Sequence, residues 1–242
     1  MKKQNKILLL VTAAILIVVV ALKATGFFSS SEESISSALG YEMSAFDGVS
    51  PPSVAIEIFN SLEVIDKYDA ACKDDFDRGY FKEKWNLRSD ELRRESITDS
   101  KDDESGSSVV SGEWNLVYEK GTTTDPDVIQ IEHGLPLFNI FCRAYSANGG
   151  NYFEGDPPEW HEEIANDSVL VFVVNARSNE SRGGASWGKS PSYKNPNGWK
   201  PNNADVYCPW LALQGDMLKK YGLAVTEQER EIAVKALEDC IS

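Results

Sequence analysis

Residues 127–139, DVIQIEHGLPLFN, carry His133, one of two histidines in the chain, directly after Glu132 at the end of an alternating apolar run. An imidazole whose unperturbed pKa is about 6.5 is largely neutral at physiological pH and can take a proton from water, so His133 has the chemistry of a general base. The same residue suits the polar end of a strand equally well, and the dipeptide alone leaves both readings open. Downstream, the stretch from Asn175 to Lys200 holds Arg177, Arg182, Lys189, Lys194 and Lys200 against the single carboxylate of Glu180. Such an excess can seat a polyanion. Trp187, Tyr193 and Trp199 are interleaved with these cations. Aromatic faces in that arrangement either stack on the bases of single-stranded or distorted nucleic acid or pack the loop against the core.

The elements that must position these side chains are legible in the apolar pattern. Runs 113–119 (EWNLVYE), 127–133 (DVIQIEH) and 168–174 (SVLVFVV) read as strands. Ala55, Ile58, Phe59, Leu62 and Ile65 recur at helical spacing, which opens the domain with an amphipathic helix from Val54. Residues 204–221 and 227–240 also read as helices, the second introduced by a capping box of Thr226 and Glu229. The charged segment DSKDDESGSS (99–108) cannot bury apolar surface and reads as a solvated loop.

A strand ending in Glu132-His133, then Pro136, a second strand, and NARSNESRGGASW (175–187) with Asn179, Arg182 and Gly183 make up an ordered set. This set resembles the HNH endonucleases of the ββα-metal superfamily, in the secreted bacterial branch. AIEIFNSLEV, DFDRGYF, LRSDELRRES, SGEW, IANDSVLVFVV and GWKPNNADVYCPW match further segments of that family in order, so the likeness spans residues 54–240. It implies an α+β fold, with a ββα-metal core and flanking helices, that hydrolyses phosphodiester bonds of DNA or RNA. His133 would be the general base, Glu132 and Asn179 would hold a divalent metal ion, foremost Mg²⁺, and Arg182 would contact phosphate. Because strand neighbours point to opposite faces, carboxylate and imidazole are expected to divide the work. Arg78 and Arg88 match family arginines that either pair with local acids or reach the substrate. His161 stands where relatives carry a basic residue and is expected on a solvent-facing helix.

The chain departs from the family in places. Glu132 stands where Asp is usual, lengthening the carboxylate arm. Leu170 replaces an Asn that helps orient the histidine, and Gly134, Glu180 and Gly184 replace more typical residues. These departures sustain a second expectation, a catalytically degenerate envelope protein that binds nucleic acid or a protein partner.

At 242 residues with 42% hydrophobic content, the chain can build one sizeable core. Lys2, Lys3 and Lys6 precede an apolar run from Ile7 to Leu22, which reads as a signal peptide or signal anchor within residues 1–26 and places the rest outside the cytoplasm. If uncleaved, it is also a membrane partner. Residues 27–53 are Ser-rich and read as a tether to a nuclease-like domain at 54–242. Four of the 24 basic residues and none of the 38 acidic ones lie before residue 27, leaving a net charge of −18 for the exported part. So acidic a body disfavours polyanions except at a local basic site. Four cysteines, Cys72, Cys142, Cys208 and Cys240, suit an oxidising compartment with one or two disulfides. Antiparallel packing of the last two helices favours Cys208 with Cys240.

Overall fold

The computed structural model describes residues 46–150 and 160–242. The export segment expected at 1–26, and the tether as far as residue 45, lie outside the described residues. No helix among the described residues is long and apolar enough to cross a membrane. The fold is α+β, with short sheets laid among helices. In chain order the elements are α1 (Pro52–Ser61), β1 (Val64–Ile65), α2 (Cys72–Asp75), a 3₁₀ turn (Arg78–Phe81), α3 (Leu87–Arg94), β2 (Lys101–Asp102), β3 (Val109–Ser111), β4 (Trp114–Asn115) and β5 (Thr122–Thr123). They continue with β6 (Ile129–His133), α4 (Leu137–Ala147), α5 (Trp160–Ala165), β7 (Val171–Asn175), α6 (Ala176–Arg182), α7 (Tyr207–Lys220), β8 (Val225–Thr226) and α8 (Glu227–Ile241).

The central pair is β6 with β7, antiparallel in the register Ile129↔Asn175 to His133↔Val171. Both faces of β7 are covered, which is why its sequence is a continuous apolar run. Phe172 and Val174 enter the main core. Val173 turns to the other face and joins Leu92 of α3, Val109, Trp114 and Ile129 in a second cluster. Immediately after β7, Asn175 caps α6 by accepting from the backbone N–H of Arg177 at 2.9 Å, and Gly183 ends the helix in the left-handed conformation.

The capping box at Thr226 and Glu229 is present at the start of α8. Both disulfides are formed: Cys208–Cys240 ties α7 to α8, and Cys72–Cys142 ties α2 to α4. Arg143 of α4 is buried with Glu229 at 2.8 Å and also donates to Asn139 and the Ala224 carbonyl. Glu229 thereby serves both in the helix cap and as a buried counter-ion.

The chain joins the core earlier than a tether ending at residue 53 allows. Phe46 packs on Phe172 at 5.9 Å, the Ser50 N–H donates to Asp216 at 2.8 Å, and α1 opens at Pro52, whose fixed φ suits a first helical turn. Run 113–119 supplies only the two residues of β4, because the chain reverses toward Gly121 and drops Val117 and Tyr118 into the core. Segment 99–108 is largely exposed, but β2 within it pairs with β3 just beyond it, and Asp103 accepts from the backbone N–H groups of Ser105 and Ser107.

Candidate functional site

Where β6 ends, Glu132, His133 and Asn179 line one cavity of about 210 Å³, walled further by Phe76, Arg78, Phe138, Gly184 and Tyr193. The structure therefore brings together three residues that are 47 positions apart at the extremes of the set. Gly134 continues the chain past this point. A Cβ there would stand 2.7 Å from the Leu213 side chain and 3.2 Å from Phe172, so any larger residue would have to displace packed core side chains.

His133 is 5% exposed. Its Nε2 lies 2.9 Å from the Ala165 carbonyl, which can only accept, so Nε2 carries the proton and Nδ1 keeps the lone pair. Leu170 is buried in the core and cannot orient a histidine; the Ala165 carbonyl at the end of α5 does so instead. Burial pushes the imidazole below its ordinary pKa, against the opposing pull of that carbonyl and of Glu83, whose carboxylate is 3.7 Å away. A neutral imidazole with one fixed tautomer is ready to accept a proton at Nδ1.

Glu132 and Arg182 form a buried ion pair at 2.6 Å. Burial pushes the carboxyl up to about 7, with Arg182 and Arg78 pulling it back. The phosphate contact expected of Arg182 gives way to an internal role. The side chain is 1% exposed and donates to Glu132, Tyr118 Oη, and the carbonyls of His133, Gly134 and Ala185. Its guanidinium also lies over the rings of Tyr118, Trp199 and Trp210. A cation bonded in this way and buried to this depth holds the two strand residues in place and lies out of reach of a ligand.

Arg78 takes the place at the cavity that Arg182 does not. Its side chain is 66% exposed and holds Glu83 through Nε at 2.7 Å and Nη2 at 2.8 Å. Burial would raise the Glu83 carboxyl, but the Arg78 bonds outweigh it and hold the group below its ordinary value. Arg177, Lys189, Lys194 and Lys200 are all exposed, but none lines this cavity. Lys194 is turned onto the Glu180 carbonyl at 2.6 Å. Of the aromatics among them, Trp187 is buried and donates to the Glu229 carbonyl, and Trp199 packs on Tyr118 and Trp210. Tyr193 alone borders the cavity, its ring tilted against that of Phe138 at 4.2 Å.

His161 is not on a solvent face. It is fully buried, its ring 4.7 Å from that of Phe81, and burial pushes it down to about 4. Between Arg78 and Arg88, Lys82 and Lys84 stand beside Trp85, an interleaving of cations and an aromatic like that of residues 175–200. Lys82 is the one non-glycine residue with positive φ among the described residues, and it turns the chain so that Glu83 and Trp85 flank the site.

The donor set suits a hard divalent cation in type. Asn179 gives its amide N–H to Gln130 at 3.0 Å, leaving the carbonyl oxygen as an acceptor, and Glu132 supplies a carboxylate at the same cavity. It is small in number: among the described residues no group of three or more His, Cys, Asp or Glu side chains could hold a metal ion. Water and substrate oxygens would have to supply most of the shell, which Mg²⁺ tolerates.

No family model matches the chain, and no solved structure matches it at a significant level. Among curated proteins, it is similar to one described as an uncharacterized secreted protein from Arthroderma benhamiae. The two are 22% identical over 155 residues, which cover 64% of this chain and 68% of the relative.

Proposed function

We propose that the chain is an extracytoplasmic, metal-dependent nuclease of the HNH type, hydrolysing phosphodiester bonds in DNA or RNA. The single observation that carries this reading is the cavity shared by Glu132, His133 and Asn179, with His133 fixed through Nε2 and its other nitrogen left basic. Strands β6 and β7 followed at once by α6 would be the ββα unit of such an enzyme. Two disulfides and the secreted relative support an oxidising, extracytoplasmic setting.

In this reading His133 Nδ1 takes the proton from the attacking water, and the exposed guanidinium of Arg78 neutralises charge on the phosphate. Glu132 and Asn179 would hold the divalent ion, which would supply Lewis-acid stabilisation of the phosphate and the departing oxygen. The second reading, a non-cleaving nucleic-acid or protein binder at the cell envelope, draws on one observation: the carboxylate of Glu132 is already neutralised by Arg182.

The test is supercoiled plasmid incubated with the purified protein in Mg²⁺ and in chelator, beside His133→Ala. Nicked and linear products that need both the metal and His133 support the enzyme. Plasmid retained but uncut across Mg²⁺, Mn²⁺ and Ca²⁺ supports the binder, and cutting that persists in His133→Ala refutes the assignment of the base.

A further inference from the structure

A second cleft, of about 440 Å³, opens beside the His133 cavity and shares Arg78, Ile131 and Asn179 with it as a common wall. Its own lining adds Glu83, Lys84, Trp85, Leu87, Arg88 and Gln130. Two features of this lining need a reason.

The first is Trp85, 87% exposed, when Trp114, Trp187 and Trp210 are buried and Trp160 and Trp199 pack against the core. An isolated exposed apolar residue is unremarkable on a protein surface. An indole is different, since it has the largest apolar area to bury and here forgoes nearly all of it. The second is charge. In a body with a net charge of −18, this cleft is lined by Arg78, Lys84 and Arg88 against one carboxylate, Glu83, which Arg78 already holds. Lys84 makes no ion pair among the described residues, and Arg88 serves only the carbonyls of Ile129 and Pro126, so its guanidinium has donors to spare.

Resting on the nuclease reading of the adjoining cavity, we propose that this cleft is the docking groove for a single nucleic-acid strand. A base stacks on Trp85, and the phosphates that follow are held by Lys84, Arg88 and Arg78 on the way to His133. The cleft seats about one nucleotide of a strand whose neighbouring phosphates run along its rim and into the adjoining cavity, and it is too small for a duplex. Stacking on an exposed ring tolerates any base, while the cations read only the backbone, so the groove binds without sequence preference. Direction is set as well. On its far side Lys84 borders a groove where Glu162, Glu163 and Asp167 outnumber the one further cation, Lys220, so phosphate is drawn instead along the path toward Arg78 and Asn179. The basic loop at 175–200 contributes Asn179 to this path, while its lysines line neither cleft.

The test measures binding of a fluorescein-labelled dT oligomer of about twelve nucleotides by anisotropy, in chelator to prevent cutting. Trp85→Ala, Trp85→Phe and Lys84→Ala with Arg88→Ala are compared with the parent, each checked for an unchanged thermal transition. Trp85→Ala weakens binding about tenfold, Trp85→Phe recovers most of the loss, and the double variant both weakens binding and flattens its salt dependence. The inference is overturned if Trp85→Ala binds dT as tightly as the parent. If that result comes with normal metal-dependent plasmid cutting, the docking groove fails and the nuclease reading stands. Loss of dT binding in Trp85→Ala from a parent that never cuts plasmid keeps the groove and removes the enzyme; a parent that neither binds nor cuts overturns both.

Discussion

Arg78 lines the His133 cavity and Arg182 lies buried behind Glu132, and their surroundings give the two arginines opposite roles. Removing Arg182 leaves Glu132 buried without its counter-ion and takes a donor from the carbonyls of His133 and Gly134, so Arg182→Met should cost about 3–5 kcal/mol in chemical denaturation. Arg78→Ala removes an exposed pair with Glu83 and should cost about 1 kcal/mol or less, while lowering plasmid cutting at least tenfold. If both variants are equally stable, the internal role of Arg182 is wrong. Nothing in the sequence separates the two residues, because the burial of Arg182 depends on carbonyls and rings from four segments converging on it. His161 was unreadable for the same reason: a short helix with two glutamates looks solvated until Phe81 is seen to cover its histidine. His133 could be read, because a strand end and a following proline are local features. Glu91 offers a test by pH. Burial pushes its carboxyl up from 4.5 to about 7, with Arg94 pulling it back. The folded state therefore binds this proton more tightly than the unfolded chain does. That contribution is fully present below about 4.5 and is lost as pH rises to about 7. Glu91→Gln, which keeps an acceptor for Arg94, should gain stability relative to the parent between pH 4.5 and 7 and hold that gain above it; a difference independent of pH would remove Glu91 as the cause.

Among the elements, those bounded by local chemistry were legible: α8 through its capping box, β7 through its β-branched run, and α7 with α8 through the Cys208–Cys240 bridge. The segment from Cys72 to Trp85 was not, since its α-helix has four residues and its position comes from a bond 70 residues away. That bond gives the two disulfides different consequences. Each closes a loop whose entropy loss in the unfolded chain amounts to roughly 4 kcal/mol, so Cys→Ser at either bridge should lower the free energy of unfolding by a comparable amount. Only Cys72–Cys142 also fastens the stretch bearing Phe76, Arg78 and Glu83 to α4, which leaves the site directly after His133. Under conditions where both variants remain folded, Cys72→Ser/Cys142→Ser should lose most plasmid cutting and Cys208→Ser/Cys240→Ser should keep it. Equal losses would mean that the wall of the site does not depend on its bridge.

At the scale of the whole molecule, charge sets the terms on which a polyanion can approach. Residues 27–242 carry −18, yet the cations at the two clefts are Arg78, Lys84 and Arg88, while the acidic surplus lies elsewhere, as in the groove where Glu162, Glu163 and Asp167 outnumber Lys220. Self-repulsion of so acidic a body destabilises the compact state and is screened by salt, whereas phosphate contacts release counter-ions on binding and are weakened by salt. Stability and nucleic-acid affinity should therefore move in opposite directions as salt rises. From about 50 to 300 mM NaCl the thermal midpoint should climb, while log affinity for a dT oligomer should fall against log salt with a slope of about −2, the value for three phosphates on a single strand. Trp85→Ala should lower the affinity without changing that slope, because stacking releases no counter-ion; removing Lys84 and Arg88 should bring the slope to between −1 and 0, about −0.7 for the one phosphate left. An affinity indifferent to salt would detach these cations from the substrate. A thermal midpoint that falls with salt would show that ion pairs such as Arg78–Glu83 and Lys220–Asp167 contribute more to the fold than the net charge takes away.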